Sequence, residues 1–84
     1  MYYVYVLQSL DESKSFYIGY TSNLRIRLAQ HNEGLNTSTK NKQWQVVYYE
    51  AYVFSTSARK REHKLKQHGR VKQLLLQRIL ESLE

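Results

Sequence analysis

Cysteine and proline are both missing from the 84 residues, and glycine occurs only three times. Without cysteine there is neither a disulfide nor a thiolate metal site, so a chain this short has to be held together by packing alone. A reducing, cytoplasmic setting is the expected one. Long apolar runs are also absent: no stretch nears the roughly 18 consecutive apolar residues that cross a bilayer, and Met1-Tyr2-Tyr3 lacks the basic opening of a signal peptide. The chain therefore reads as soluble and unprocessed, with no membrane partner. No proline, repeat or low-complexity tract breaks it, so a single domain over residues 1–84 is expected.

Acids are scarce too. Thirteen Lys and Arg against seven Asp and Glu give a formal charge of +6, an excess that favours polyanionic partners. Its distribution is more informative than its total. Between Glu50 and Glu81 the only acid is Glu62, and Arg59, Lys60, Arg61, Lys64, Lys66, Arg70 and Lys72 surround it. The plainest account is a solvated helix face with a Glu62–Lys66 pair one turn apart, worth a few tenths of a kcal/mol.

What is abundant is tyrosine, eight in all. Residues 2–8 are β-branched and aromatic on both faces, as in a strand covered on both sides. The polar run Asp11 to Ser15 reads as a turn, and Phe16 to Tyr20 resumes the β pattern, so the two runs predict a hairpin. Residues 46–54 predict a third strand. All eight tyrosines fall in these segments, and β propensity accounts for most of them. Pairing Tyr5 opposite Tyr17 would bring both rings out on one sheet face, either to activate water together or to form a stacking platform for bases.

A first helix should start at Ser22 or Asn23, either of which can cap it, and end near Glu33 before Gly34. Leu24, Arg27, Leu28 and His31 share one face at helical spacing. Arg27 then lies on the inward stripe, where it must be paired, line a cleft or snorkel at the edge; His31 is either bonded structurally or functional. Ser55, Thr56 and Ser57 are candidate caps for a helix over 56–68, on which Ala58, Glu62, Leu65 and Gly69 share a face. Glu62 would point toward the body of the domain, either as a ligand for Mg²⁺ or Mn²⁺ or as one half of a structural pair with an arginine. Val71, Leu74, Leu75, Leu76, Ile79, Leu80 and Leu83 define a last helix over about 70–83, whose wide apolar arc either closes the core or offers a patch for self-association or a protein partner.

Tyr5, Tyr17, Arg27, His31 and Glu62 are groups that phosphodiester cleavage can use: phenols to activate a nucleophile, a guanidinium to clamp phosphate, a carboxylate to hold a divalent cation. Their order carries a resemblance. Tyr3-Val4-Tyr5 stands where a first motif would be and Tyr17-Ile18-Gly19 matches a second. Asn23 to His31 resembles an Arg-bearing helix, Val46 to Glu50 a third strand, and Ala58 to Lys66 a helix carrying a metal-binding glutamate. The chain resembles a small, stand-alone member of the GIY-YIG nuclease superfamily, of the UPF0213-like kind, over residues 2–72. That resemblance implies an α/β fold with a three-stranded antiparallel sheet flanked by helices, to which the C-terminal helix is added.

The resemblance further implies that Glu62 holds one divalent cation, Arg27 neutralises the scissile phosphate, Tyr5 and Tyr17 flank the attacking water, and His31 is an accessory group. Tyr17 is favoured over Tyr5 as general base. A single-carboxylate site also suits the composition, since two-metal sites need several converging acids. Arg25, Lys40, Lys42, Arg59, Lys60, Lys64 and Lys66 are the expected nucleic-acid contacts, DNA ahead of RNA. Two departures from the family pattern stand out: Tyr3 replaces the glycine of the first motif, and Gln43 precedes Trp44 where proline is frequent, implying a looser start to the third strand. A nucleic-acid-binding module without turnover and an adaptor docking through the last helix are the alternative functions.

Overall fold

A computed structural model describes residues 1–84. Three strands, β1 (Tyr2–Ser9), β2 (Phe16–Thr21) and β3 (Trp44–Tyr52), form one antiparallel sheet in the order β2-β1-β3. Helix α1 (Leu24–Asn32) lies between β2 and β3 in sequence; α2 (Ser55–Gln67) and α3 (Gly69–Ser82) follow β3. The expected α/β class and three-stranded antiparallel sheet are borne out, with β1 central as its two-sided apolar sequence requires.

Val4 through Ser9 are all buried because β1 faces helices on both sides. On one face Val4, Val6 and Ile18 pack against Ala58, Leu65, Leu75 and Ile79 of α2 and α3. On the other, Tyr5, Leu7 and Trp44 pack with Tyr17, Leu24, Leu28 and Val46 under α1. A bulge in the β1–β3 ladder, where Val6 faces Tyr48 but Leu7 faces Val46, leaves Val47 without a partner. This extra residue lets β3 send Tyr48, Glu50 and Tyr52 to the α2/α3 side while Val46 stays beneath α1.

Several boundaries moved for local reasons. Strand β3 starts at Trp44, two residues ahead of expectation, because the Asn32 side chain receives the Trp44 N–H at 2.7 Å and donates to its carbonyl at 3.2 Å. The lead-in at Gln43 is consequently tied down rather than loose: its side chain donates to the Asn32 carbonyl and its own carbonyl accepts from Leu10 N–H. Asn23 caps α1 by accepting from Ile26 N–H, and Gly34 ends that segment at φ 79°. At α2 the expected serine and threonine caps are wrong. The N-cap is Phe54, with no side-chain cap, and Ser55 to Ser57 lie inside the first turn, because burial of Ala58 and Leu65 sets the helix register. Helix α3 buries Leu75 and Ile79 and leaves Leu74, Leu80 and Leu83 about half exposed, so it closes the core and also presents an apolar strip.

Candidate active site

The centre of the site is a buried imidazole. His31, fully buried at the end of α1, places Nε2 at 2.8 Å from the Tyr5 hydroxyl and Nδ1 at 2.7 Å from the Thr39 hydroxyl. The Thr39 hydroxyl also donates to the Asn36 carbonyl. It must then accept from Nδ1–H, which leaves Nε2 to accept the Tyr5 proton; the tautomer is assigned from this network. Burial, assisted by the neighbouring Arg27 charge, drives the His31 pKa down to about 4, and burial pushes Tyr5 up to about 12 despite the pull of Arg27. Both groups are neutral at pH 7, as a phenol donating to an imidazole requires.

Tyr5 and Tyr17 share the sheet face beneath α1, but the expected pairing is corrected: Tyr5 stands opposite Gly19, and Tyr17 opposite Leu7. The two rings are diagonal neighbours, each edge-on to His31 at centroid distances of 5.8 and 5.0 Å. A Cβ built on Gly19 would overlap the Tyr5 phenol ring. Glycine is therefore required at this point of Tyr17-Ile18-Gly19 because the Tyr5 ring lies directly across its backbone on the way to His31. The Tyr5 hydroxyl is thus committed to His31, whereas the half-buried Tyr17 hydroxyl makes no hydrogen bond within the protein.

Arg27, one turn before His31, is half-buried and has no carboxylate partner; its side chain donates to Gln30 Oε1 at 3.0 Å. The Arg27 guanidinium, the Tyr17 phenol and the Glu62 carboxylate all lie near enough to bias the Tyr5 hydroxyl electrostatically. Glu62, whose side chain is 25% exposed, meets Lys66 Nζ at 3.3 Å, and that ammonium sits 5.5 Å from the centroid of the Tyr17 ring. The short pair anticipated from i,i+4 spacing is therefore real and lies beside the tyrosines. The tertiary fold brings Tyr5, Tyr17, Arg27, His31 and Glu62 together around the β1–β2 edge.

No cluster of three or more His, Cys, Asp or Glu residues converges anywhere in the structure. A caged metal is excluded by that donor set. A cation held by one carboxylate, several waters and substrate phosphate, the usual habit of Mg²⁺, fits the partly exposed Glu62.

The basic residues divide by location. Lys60, Lys64 and Lys66 are exposed along α2, with Arg59 over the Tyr20 ring at 5.2 Å; Arg25 is exposed on α1 and Lys40 on the following loop. Lys42 instead pins the β1–β2 turn, reaching Asp11 at 3.2 Å and Ser13 at 2.8 Å. Arg61 turns inward and donates Nε and Nη2 to Glu50, which also accepts from the Tyr48 and Tyr52 hydroxyls. Burial works against the Glu50 charge, but Arg61 and the two phenols outweigh it and hold the pKa below the ordinary carboxylate value. The arginine-paired glutamate of this fold is Glu50, on the far face of the sheet.

Sequence reasoning missed Thr39 and the role of Gly19. Thr39 lies in a polar loop with no periodicity, and nothing local marks it. Gly19 was visible within its triplet, but its function depends on strand register.

A small α/β domain with two tyrosines, an unpaired arginine and a glutamate at one sheet edge belongs to a recognisable class. The sequence profile of the GIY-YIG catalytic domain matches residues 1–74. The UPF0213 protein of Haloquadratum walsbyi is 34% identical over 73 residues, covering 84% of this chain and 80% of its own. That of Natronomonas pharaonis is 36% identical over 73 residues, covering 84% of each. The UPF0213 protein of Staphylococcus haemolyticus is 36% identical over 75 residues, covering 87% of this chain and 89% of its own. No solved structure matches. The chain belongs to the GIY-YIG family, a nuclease family. No helix is long and apolar enough to cross a membrane.

Proposed function

We propose that this protein is a divalent-metal-dependent endonuclease that hydrolyses phosphodiester bonds, with DNA the preferred substrate and Mg²⁺ or Mn²⁺ the cation. The carrying observation is Arg27, an unpaired, half-buried guanidinium beside the Tyr5–His31 pair. A half-buried guanidinium without a carboxylate partner is free to take an anion, and a phosphate matches its donor fork. Glu62 would hold the cation, which when bound neutralises charge on the phosphate and acidifies water. Arg27 is aimed at the charge that builds on the pentacoordinate phosphorus, the largest single contribution expected of such a group.

Tyr17 meets the attacking water, because its hydroxyl has no other partner while that of Tyr5 is engaged. A phenol takes a proton from water effectively only where positive charge offsets the phenolate; the Lys66 ammonium, 5.5 Å from the Tyr17 ring centroid, is such a charge. Tyr5, fixed between Gly19 and His31, holds the wall against which the water and phosphate sit. The exposed lysines of α2 attract the polyanion.

The test is cleavage of mixed DNA and RNA substrates with Mg²⁺ or Mn²⁺ by the parent protein and by Glu62→Gln. Metal-dependent cleavage that Glu62→Gln lowers by orders of magnitude, with unfolding unchanged, is expected. Undiminished cleavage by Glu62→Gln refutes the site, and salt-dependent binding without turnover in the parent establishes the binding-module alternative instead.

A further inference from the structure

Beside the proposed active site, on the same sheet face, lies an open cleft of about 390 Å³ walled by Tyr3, Tyr49, Leu24, Ser22, Asn23 and Arg25. The Tyr3 and Tyr49 rings meet edge to face, with centroids 5.9 Å apart and planes at 70°. Tyr49 is 57% exposed, far more than a strand tyrosine placed to fill a core. Neither phenol makes a hydrogen bond within the protein, nor does the Ser22 hydroxyl, and Arg25 takes part in none of the ion pairs. The cleft thus joins an exposed aromatic surface to a free guanidinium and free hydroxyls, the combination that binds a base by its face and a backbone by its phosphate.

Its position ties it to the chemistry. Tyr49 stands directly opposite Tyr5 in the β1–β3 register, and Tyr3 is the next residue of β1 on the same face. Arg25 and Arg27 both stand on α1 but about 200° apart around its axis, Arg25 lining the cleft and Arg27 beside the proposed site. A strand with a phosphate at Arg27 would carry a neighbouring nucleotide past Tyr49. Tyr3 supplies this aromatic wall at the position of the glycine in the family's first motif.

We propose that this cleft is a subsite for one unpaired nucleotide flanking the scissile phosphate, its base stacked on Tyr49 and its phosphate on Arg25. The inference rests on the nuclease reading and adds a substrate class to it. A base within a duplex already has neighbours on both faces, so occupancy requires a single strand, a bulge, an end or an extruded base.

Binding is measured in the Glu62→Gln background, so that no cleavage intervenes, with single-stranded and fully paired oligonucleotides carrying 2-aminopurine, whose fluorescence is quenched by stacking. Tyr49→Ala is expected to weaken single-strand binding about 10- to 100-fold and to abolish the protein-induced quenching. Tyr49→Phe should restore both, and duplex affinity should change by about twofold or less. Arg25→Gln, at an exposed position that folding does not depend on, should reduce the salt slope by about one phosphate contact. Single-strand affinity and quenching unchanged in Tyr49→Ala, or equal losses in Tyr49→Phe, overturn the subsite while leaving the nuclease reading intact. Failure of every oligonucleotide to bind the otherwise unsubstituted protein overturns both.

Discussion

Gly19 offers the sharpest test of how the site is built. Its backbone has an ordinary conformation, so alanine meets no conformational penalty there; the obstacle is the Tyr5 ring, which the new Cβ would overlap. That ring has nowhere to retreat, being 2% exposed and bonded to His31 at 2.8 Å. Overpacking of this kind costs about 1–3 kcal/mol, and the loss of glycine's freedom in the unfolded chain returns about 0.4–1 kcal/mol. The net is a destabilisation of between about 0 and 2.6 kcal/mol. At about 4–8 °C per kcal/mol for a domain of this size, the Tm of Gly19→Ala should fall by up to about 20 °C. Thermal unfolding followed by circular dichroism gives the number, and a double-mutant cycle with Tyr5→Leu gives the cause. If the Tyr5 ring is the obstacle, Gly19→Ala should cost much less in the Tyr5→Leu background, a coupling of about 1 kcal/mol or more. Additive effects in that cycle would refute the reasoning.

His31 makes stability depend on pH. Its folded pKa of about 4 lies below the ordinary 6.5 because of burial and Arg27, so between those values the unfolded chain binds a proton that the native one refuses. The associated stability is fully present above pH 6.5 and is lost as pH falls toward 4, on the order of 3 kcal/mol; urea unfolding at several pH values should show a slope that His31→Gln flattens, and an unchanged slope contradicts the assignment. Arg27→Ala should lower cleavage about 100- to 1000-fold with substrate binding within a few fold. Because its side chain is half exposed and donates to Gln30 beside the Tyr5 hydroxyl, stability should fall only modestly, and a protein that fails to fold would make Arg27 structural. Lys66→Met frees Glu62 from an exposed pair worth about 0.3–0.5 kcal/mol, so Mn²⁺ affinity read by paramagnetic NMR broadening near Glu62 should rise about twofold. A fall in affinity would show that Lys66 does not compete with the cation.

The element types were legible because each has a short-range cause. Alternating or continuous β-branched and aromatic runs specified the strands, and 3.6-residue periodicity put Leu24, Arg27, Leu28 and His31 on one inward stripe of α1. Boundaries were less legible where partners distant in sequence decide them: Asn32 starts β3 early, and core packing moves α2 past its candidate caps.

By itself the sequence determined the strand and helix order, the basic surface, the ordered motifs that place the chain in its family, and the isolation of Glu62 among basic neighbours. Only the tertiary structure decided the register. Tyr5 opposite Tyr17 and Tyr5 opposite Gly19 differ by two residues, and a shift of two keeps every side chain on its face, so hydrophobic patterning cannot choose between them. The turn chooses: Ser9 N–H meets the Ser15 carbonyl, Asp11 gathers the Ser9 and Ser13 hydroxyls, and Lys14 takes a positive φ of 49°. From that register follows Tyr5 across Gly19, while the Tyr3–Tyr49 cleft follows from the β1–β3 register and the His31–Thr39 link from the loop between α1 and β3. These contacts join residues far apart in the chain, and local pattern carries no information about which distant side chain completes a hydrogen bond or shares a cleft.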